Sequence, residues 1–201
     1  DFGVGALGDM GCHIIDPVVW SLQLGAPARV WSEGPATNGE TFPEWEIIHY
    51  EFPGTAYCAE ETVRMTWYDG GKKPDAKLVP GATAKDIPSN GSLYIGENGV
   101  ILCSHGGKPE LWPKADFGDA KFIEVPGNDH YQQWTQACKG DGSTSSTFEY
   151  SGPLTEANHL GNVAYRAGKK LRWNAKQMKI PNAPDAERFL KREYRAGWSL
   201  P

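Results

Sequence analysis

The order of segments along the chain predicts an α+β fold, with a large, mostly antiparallel open sheet and helices on one face. Three observations carry this expectation. Apolar residues recur at helical spacing near the start and over the last third, while the middle alternates with period two. Strand signals do not alternate with helix signals, so the βαβ units of a parallel sheet are not expected. Asn98-Gly99 stands between two apolar runs, a strong short signal for an antiparallel hairpin whose turn residues take positive φ.

The first element follows the glycine-rich Gly3-Val4-Gly5-Ala6-Leu7-Gly8. Leu7, Met10, Ile14, Val18 and Leu22 predict a helix with Gly25 as its stop, and Asp16-Pro17 predicts a kink or a restart. Residues Arg29–Glu33 read as a short strand. Alternation over Glu46–Phe52 places Ile48, Tyr50 and Phe52 on one face. A turn at Pro53-Gly54-Thr55 leads into a long strand, Tyr57–Tyr68, with Val63, Met65 and Trp67 together. Gly70–Ser92 reads as a long loop or lid. Leu93–Glu97 and Val100–Cys103 are the arms of the Asn98-Gly99 hairpin. Asp129 caps a helix that runs to Cys138, with Tyr131, Trp134, Ala137 and Cys138 inward and Gly140 as the stop. Ser151-Gly152-Pro153 starts a second late helix, whose apolar face is Leu154, Leu160, Val163, Ala164 and Ala167, ending at Gly168. Asn182-Ala183-Pro184 starts a third, with Ala186, Phe189, Leu190 and Tyr194 inward.

With 201 residues, 39% hydrophobic and 22% charged, the chain reads as a single globular domain over 1–201 with a real core. A net charge of −5 with scattered basic residues argues against a nucleic-acid partner, because phosphate binding needs clustered Lys and Arg. No apolar run reaches the ~18–20 residues that span a bilayer, so no membrane partner is expected. Cys12, Cys58, Cys103 and Cys138 lie far apart with no C-x-x-C pair, which predicts reduced, buried thiols and neither a zinc site nor a disulfide framework. The eight tryptophans are spread along the chain and read as core or interface.

Gly3, Gly5 and Gly8 match G-x-G-x-x-G, the dinucleotide fingerprint. Only Asp1 and Phe2 stand before them where a strand is needed, and no second β-α unit follows Glu33. The chemistry is placed instead on Asp9 and His13. Four residues apart on a helix, they share a face, and a carboxylate beside an imidazole can fix its tautomer and raise its basicity. The pair suits a general base with an orienting acid. Gly5 and Gly8 are candidates for close substrate approach to the backbone. His130 is a third candidate substrate contact, with a capping or surface role as its alternative. His105 reads as a loop residue and His159 as part of a polar helix face. Nothing supplies a third ligand beside Asp9 and His13, so no metal is expected.

Gly5-Ala-Leu-Gly-Asp9-Met-Gly-Cys-His13-Ile-Ile-Asp16 resembles the start of the active-site helix in the C-terminal domain of the glucose–fructose oxidoreductase / inositol dehydrogenase / MocA family. Gly91-Ser-Leu-Tyr-Ile-Gly-Glu-Asn-Gly99 is similar to that family's sheet hairpin. Gly152–Gly168 is similar to the late helix of its bacterial members, and Arg188–Trp198 to their C-terminal tail. The resemblance implies an oxidoreductase acting on a sugar, polyol or related hydroxy compound. It implies a separate N-terminal Rossmann domain that binds NAD or NADP and contributes a lysine. His13 would be the base and Asp9 its partner and substrate ligand, with no cofactor held by this chain. It also implies homo-oligomers formed through the open sheet. Without the Rossmann domain, the chain alone is expected to be inactive. Two other readings stand beside this one: NAD-dependent glycoside cleavage, which some relatives perform by transient oxidation, and a non-catalytic carbohydrate-binding or assembly module.

Overall fold

The structure, a computed structural model, describes residues 3–198. Asp1 and Phe2, where the absence of a strand before the glycines was read, lie outside them. The class is α+β, built on two antiparallel sheets.

Helix α1 (Gly5–Ile14) and helix α2 (Asp16–Leu22) are the two halves of the first helical stretch. Pro17 sits in the first turn of α2, where its missing N–H costs nothing. The stop comes earlier than Gly25: Gln23 takes the left-handed cap at φ 50. Strands β1 (Arg29–Glu33), β2 (Ile47–Pro53) and β3 (Thr62–Tyr68) form the first sheet with β7 (Leu171–Arg172), in the order β3-β2-β1-β7. Ile48, Tyr50 and Phe52 are fully buried on one face of β2, as the alternation requires. The third strand starts at Thr62 rather than Tyr57, because Gly54 N–H already bonds Glu61 O and residues 55–60 form the connecting loop.

The second sheet holds β4 (Gly91–Ile95), β5 (Val100–Ser104) and β6 (Pro109–Trp112). Its hairpin is present, but the two-residue turn falls on Glu97-Asn98, one residue earlier than Asn98-Gly99 suggested, and it is not of the positive-φ type. Ile95 pairs with Val100, Gly96 N–H bonds Gly99 O at 2.9 Å, and neither Asn98 nor Gly99 has positive φ. Glycine is needed at 99 for space: a Cβ there would lie 2.7 Å from the Phe117 ring and from the Trp112 carbonyl oxygen. The 70–92 stretch is tied to this sheet. It contains a 3₁₀ turn (Ala76–Leu78), buries Val79 and Ile87 against Val100, Leu102 and Trp112, and bonds Lys73 Nζ to Ile87 O.

A short helix α3 (Lys114–Phe117) precedes α4 (His130–Lys139) and α5 (Phe148–Ala167). The ends of α4 are as predicted: Asp129 accepts from the N–H groups of Tyr131 and Gln132, and Gly140 is left-handed. Its sides are not, since Tyr131 is 74% and Trp134 64% exposed and Cys138 is exposed too. Helix α5 begins before Ser151, so Pro153 lies inside it on an exposed position and removes one rung of the ladder. Its apolar face, with Leu154, Leu160 and Ala164 buried, covers β1 and β2. The last helix is a 3₁₀ segment (Pro184–Phe189): Ala186 is buried, but Tyr194 is exposed.

Candidate functional site

Helix α1 has two unlike faces, and glycine makes the inner one. A Cβ at Gly11 would lie 2.9 Å from Asn158 Oδ1. One at Gly8 would meet Val4 at 2.3 Å and Asn162 Nδ2 at 3.1 Å. One at Gly161 of α5 would come within 2.4 Å of Leu7 and of the Tyr50 hydroxyl. Small residues on both helices let them approach closely, and Asn162 Nδ2 closes the seam by donating to Val4 O at 2.9 Å. Gly5, at φ +68, lies against Phe42. Both Gly5 and Gly8 are therefore covered by side chains of the chain itself. The stretch does not fit the bare backbone that a pyrophosphate needs in a dinucleotide fingerprint.

The outer face of α1 carries Asp9, Cys12 and His13, all exposed. Among the described residues no hydrogen bond joins the Asp9 and His13 side chains; one turn apart, they stand side by side and open to a partner. His105, on the β5–β6 turn, brings its ring to 5.9 Å from that of His13, with 54° between the planes. Periodicity carries no signal for this approach, since 91 residues separate the two histidines and a second sheet holds one of them. At the far end of α1 the chain is anchored by Ser92 Oγ donating to Ile14 O and by the Tyr150 hydroxyl donating to Asp16. Burial, then the Asp16 carboxylate, pushes the Tyr150 phenol well above its ordinary range.

His130 is placed elsewhere. It opens α4 with its ring against Tyr131 and lines a cleft of about 250 Å³ with Gln133, Trp134, Thr144 and Ser146. No hydrogen bond or ring contact joins it to Asp9 or His13 among the described residues. His159 is exposed on α5. The four cysteines are free thiols, but Cys12 and Cys138 are exposed and Cys58 and Cys103 half-buried, which corrects the expectation of burial. The tryptophans divide as well: Trp67, Trp112 and Trp173 are buried, while Trp20, Trp134 and Trp198 are exposed. Among the described residues no three His, Cys, Asp or Glu side chains converge to hold a metal, and no helix is long and apolar enough to cross a membrane.

A second constellation lies in the core. Glu46, just ahead of β2, is 1% exposed, and its Oε2 has no partner. Its N–H donates to Asp69 Oδ1, while Trp67 Nε1 donates to Asp69 Oδ2. Burial, then the nearby Asp69 carboxylate, raises the Glu46 carboxyl to about 7. Burial, then Glu46, in turn pushes the Tyr50 and Tyr165 phenols up. The signal for this was present: Glu46 continues the even-numbered set Ile48, Tyr50 and Phe52 onto the core face.

The chain matches no protein-family model and no curated protein.

Proposed function

We propose that this chain is the substrate domain of a nicotinamide-dependent oxidoreductase of the glucose–fructose oxidoreductase / inositol dehydrogenase / MocA type, acting on a sugar, polyol or related hydroxy compound. One observation carries the reading. The glycines around Asp9 are spent on packing α1 against α5, and this fixes the helix so that Asp9 and His13 face outward together on a rigid support. An exposed acid and imidazole, one turn apart, suit a substrate held between this domain and another.

In this reading the His13 imidazole accepts the proton of a substrate hydroxyl. Asp9 holds the substrate and favours the imidazolium that results. Bound NAD or NADP would supply the hydride acceptor, and a separate Rossmann domain would hold it and contribute the lysine, because the glycine stretch here offers the dinucleotide no seat. The chain alone is then inactive. Self-association through the free face of the first sheet completes the proposal.

The test is His13→Ala in the protein that joins this chain to its Rossmann domain. The kcat is expected to fall about 10²–10⁴-fold, with the cofactor KM and the melting temperature unchanged, since the side chain is exposed. An unaltered kcat removes His13 from the mechanism. Turnover by the isolated chain with NAD or NADP would overturn the division of labour between the domains.

A further inference from the structure

We propose that His105 is a second substrate-binding imidazole of the Asp9–His13 site. It hydrogen-bonds the hydroxyl next to the one that His13 deprotonates, so that the site selects vicinal diols. The inference deepens the function proposed above and rests on it for the role of His13.

The chain has five histidines, and their surroundings separate them. His49 is engaged by Glu33 at 2.7 Å and stacks on Trp31. His130 lies on Tyr131, and His159 is exposed on α5. His13 and His105 face one another, both exposed, and no group among the described residues holds their ring nitrogens. With centroids 5.9 Å apart, one hydrogen bond of roughly 2.8 Å from each ring can converge on two neighbouring oxygens.

The approach is built into fixed elements. His105 N–H donates to Asn90 O at 3.0 Å, and Gly107 N–H donates to Ser104 O at 2.8 Å. Gly106 supplies the positive φ, +72, that closes the turn. The sheet carrying this turn is held to the first helices by Ser92 Oγ donating to Ile14 O. Two imidazoles thus reach one place from separate hydrophobic clusters, each on a braced support. His13 takes the proton of the reacting hydroxyl, while His105 transfers none and only positions its neighbour.

The experiment has two arms. In the first, imidazole NMR signals of the chain are followed with glucose, cyclohexane-1,2-diol and cyclohexane-1,3-diol as probes. Signals of both His13 and His105 are expected to move saturably with glucose or the 1,2-diol and less with the 1,3-diol. If His13 moves alone, or neither moves with any probe, the inference is overturned. In the second arm, His105→Ala and His105→Gln are compared with wild type in the two-domain protein. The expected result is a rise in substrate KM of about ten-fold for His105→Ala, a smaller drop in kcat, and loss of the preference for the vicinal diol, with partial rescue by His105→Gln. An unchanged preference overturns the inference and leaves the dehydrogenase reading intact. Shifted imidazole signals together with a kcat that His13→Ala leaves unaltered overturn the dehydrogenase reading and leave the diol site standing.

Discussion

Glu46 ties a single side chain to the stability of the whole core. Its folded value of about 7 lies above the ordinary 4.5, so the folded chain holds this proton more tightly than the unfolded one. Its contribution is complete below pH 4.5, declines as pH rises from there, and is lost above about 7. The difference corresponds to at most about 3 kcal/mol. Glu46→Gln keeps the shape without the charge, and is expected to match wild type near pH 4 and to exceed it by up to that amount at pH 8. Urea midpoints across this range check it; parallel curves for the two proteins would show that Glu46 finds a partner when ionised. Glu51 works in the opposite sense. The Arg29 guanidinium, helped by Lys170, holds its carboxyl below the usual range, so its contribution is present at neutral pH and fades as pH falls. His13 and Asp9, exposed on the outer face of α1, leave the core untouched when replaced. That separates the catalytic test from the stability test.

At the scale of elements, the α1–α5 seam is the joint on which the proposed site depends. Gly161→Ala adds a methyl where Leu7 and the Tyr50 hydroxyl already stand at 2.4 Å, and both are fully buried and cannot swing away. Overpacking of this kind costs about 1–3 kcal/mol, so a clear fall in the denaturation midpoint is expected. An unchanged midpoint would show that the seam is loose. The elements themselves were unevenly legible in the sequence. The bounds of β1, the β2–β3 hairpin, the restart at Pro17 and the caps Asp129 and Gly140 were all readable, because local backbone chemistry decides them. Strand β7 was not, because two residues pair only where β1 offers a free edge. Strand β6 opens with a proline and shows no alternation, so only its pairing with β5 defines it. Helix α4 shows a different limit: periodicity identifies an apolar side, but not whether the chain packs anything against it. That Asp9 and His13 share a face of α1 was legible from their spacing, whereas the approach of His105 to His13 and the glycine seam required the fold.

At the scale of the whole molecule, what matters is the free face of the first sheet. An antiparallel sheet with one uncovered face needs either a partner or a polar surface, and here the surface is charged and aromatic. Trp31 stacks on His49 with centroids 5.0 Å apart, and Lys170 Nζ sits 3.6 Å from the Trp31 ring centre. Glu51 lies between Arg29 at 2.7 Å and Lys170 at 3.3 Å, and Glu33 meets His49. Exposed pairs of this kind contribute ~0–1 kcal/mol each to the monomer, so they do little to stabilise the fold by themselves. Their row of alternating sign offers a second copy, turned about a two-fold axis, acids opposite bases. Proposed self-association through this face should therefore be driven partly by charge and weakened by salt. In sedimentation at low salt, the mean mass is expected to rise with concentration toward the dimer, and to return to the monomer as salt is added. Lys170→Glu removes the base beside both Trp31 and Glu51, and should shift the midpoint of association to higher concentration with the melting temperature of the monomer nearly unchanged. A wild-type chain that stays monomeric at tens of micromolar in low salt, a range in which micromolar dimers form, would place the oligomer interface outside this sheet.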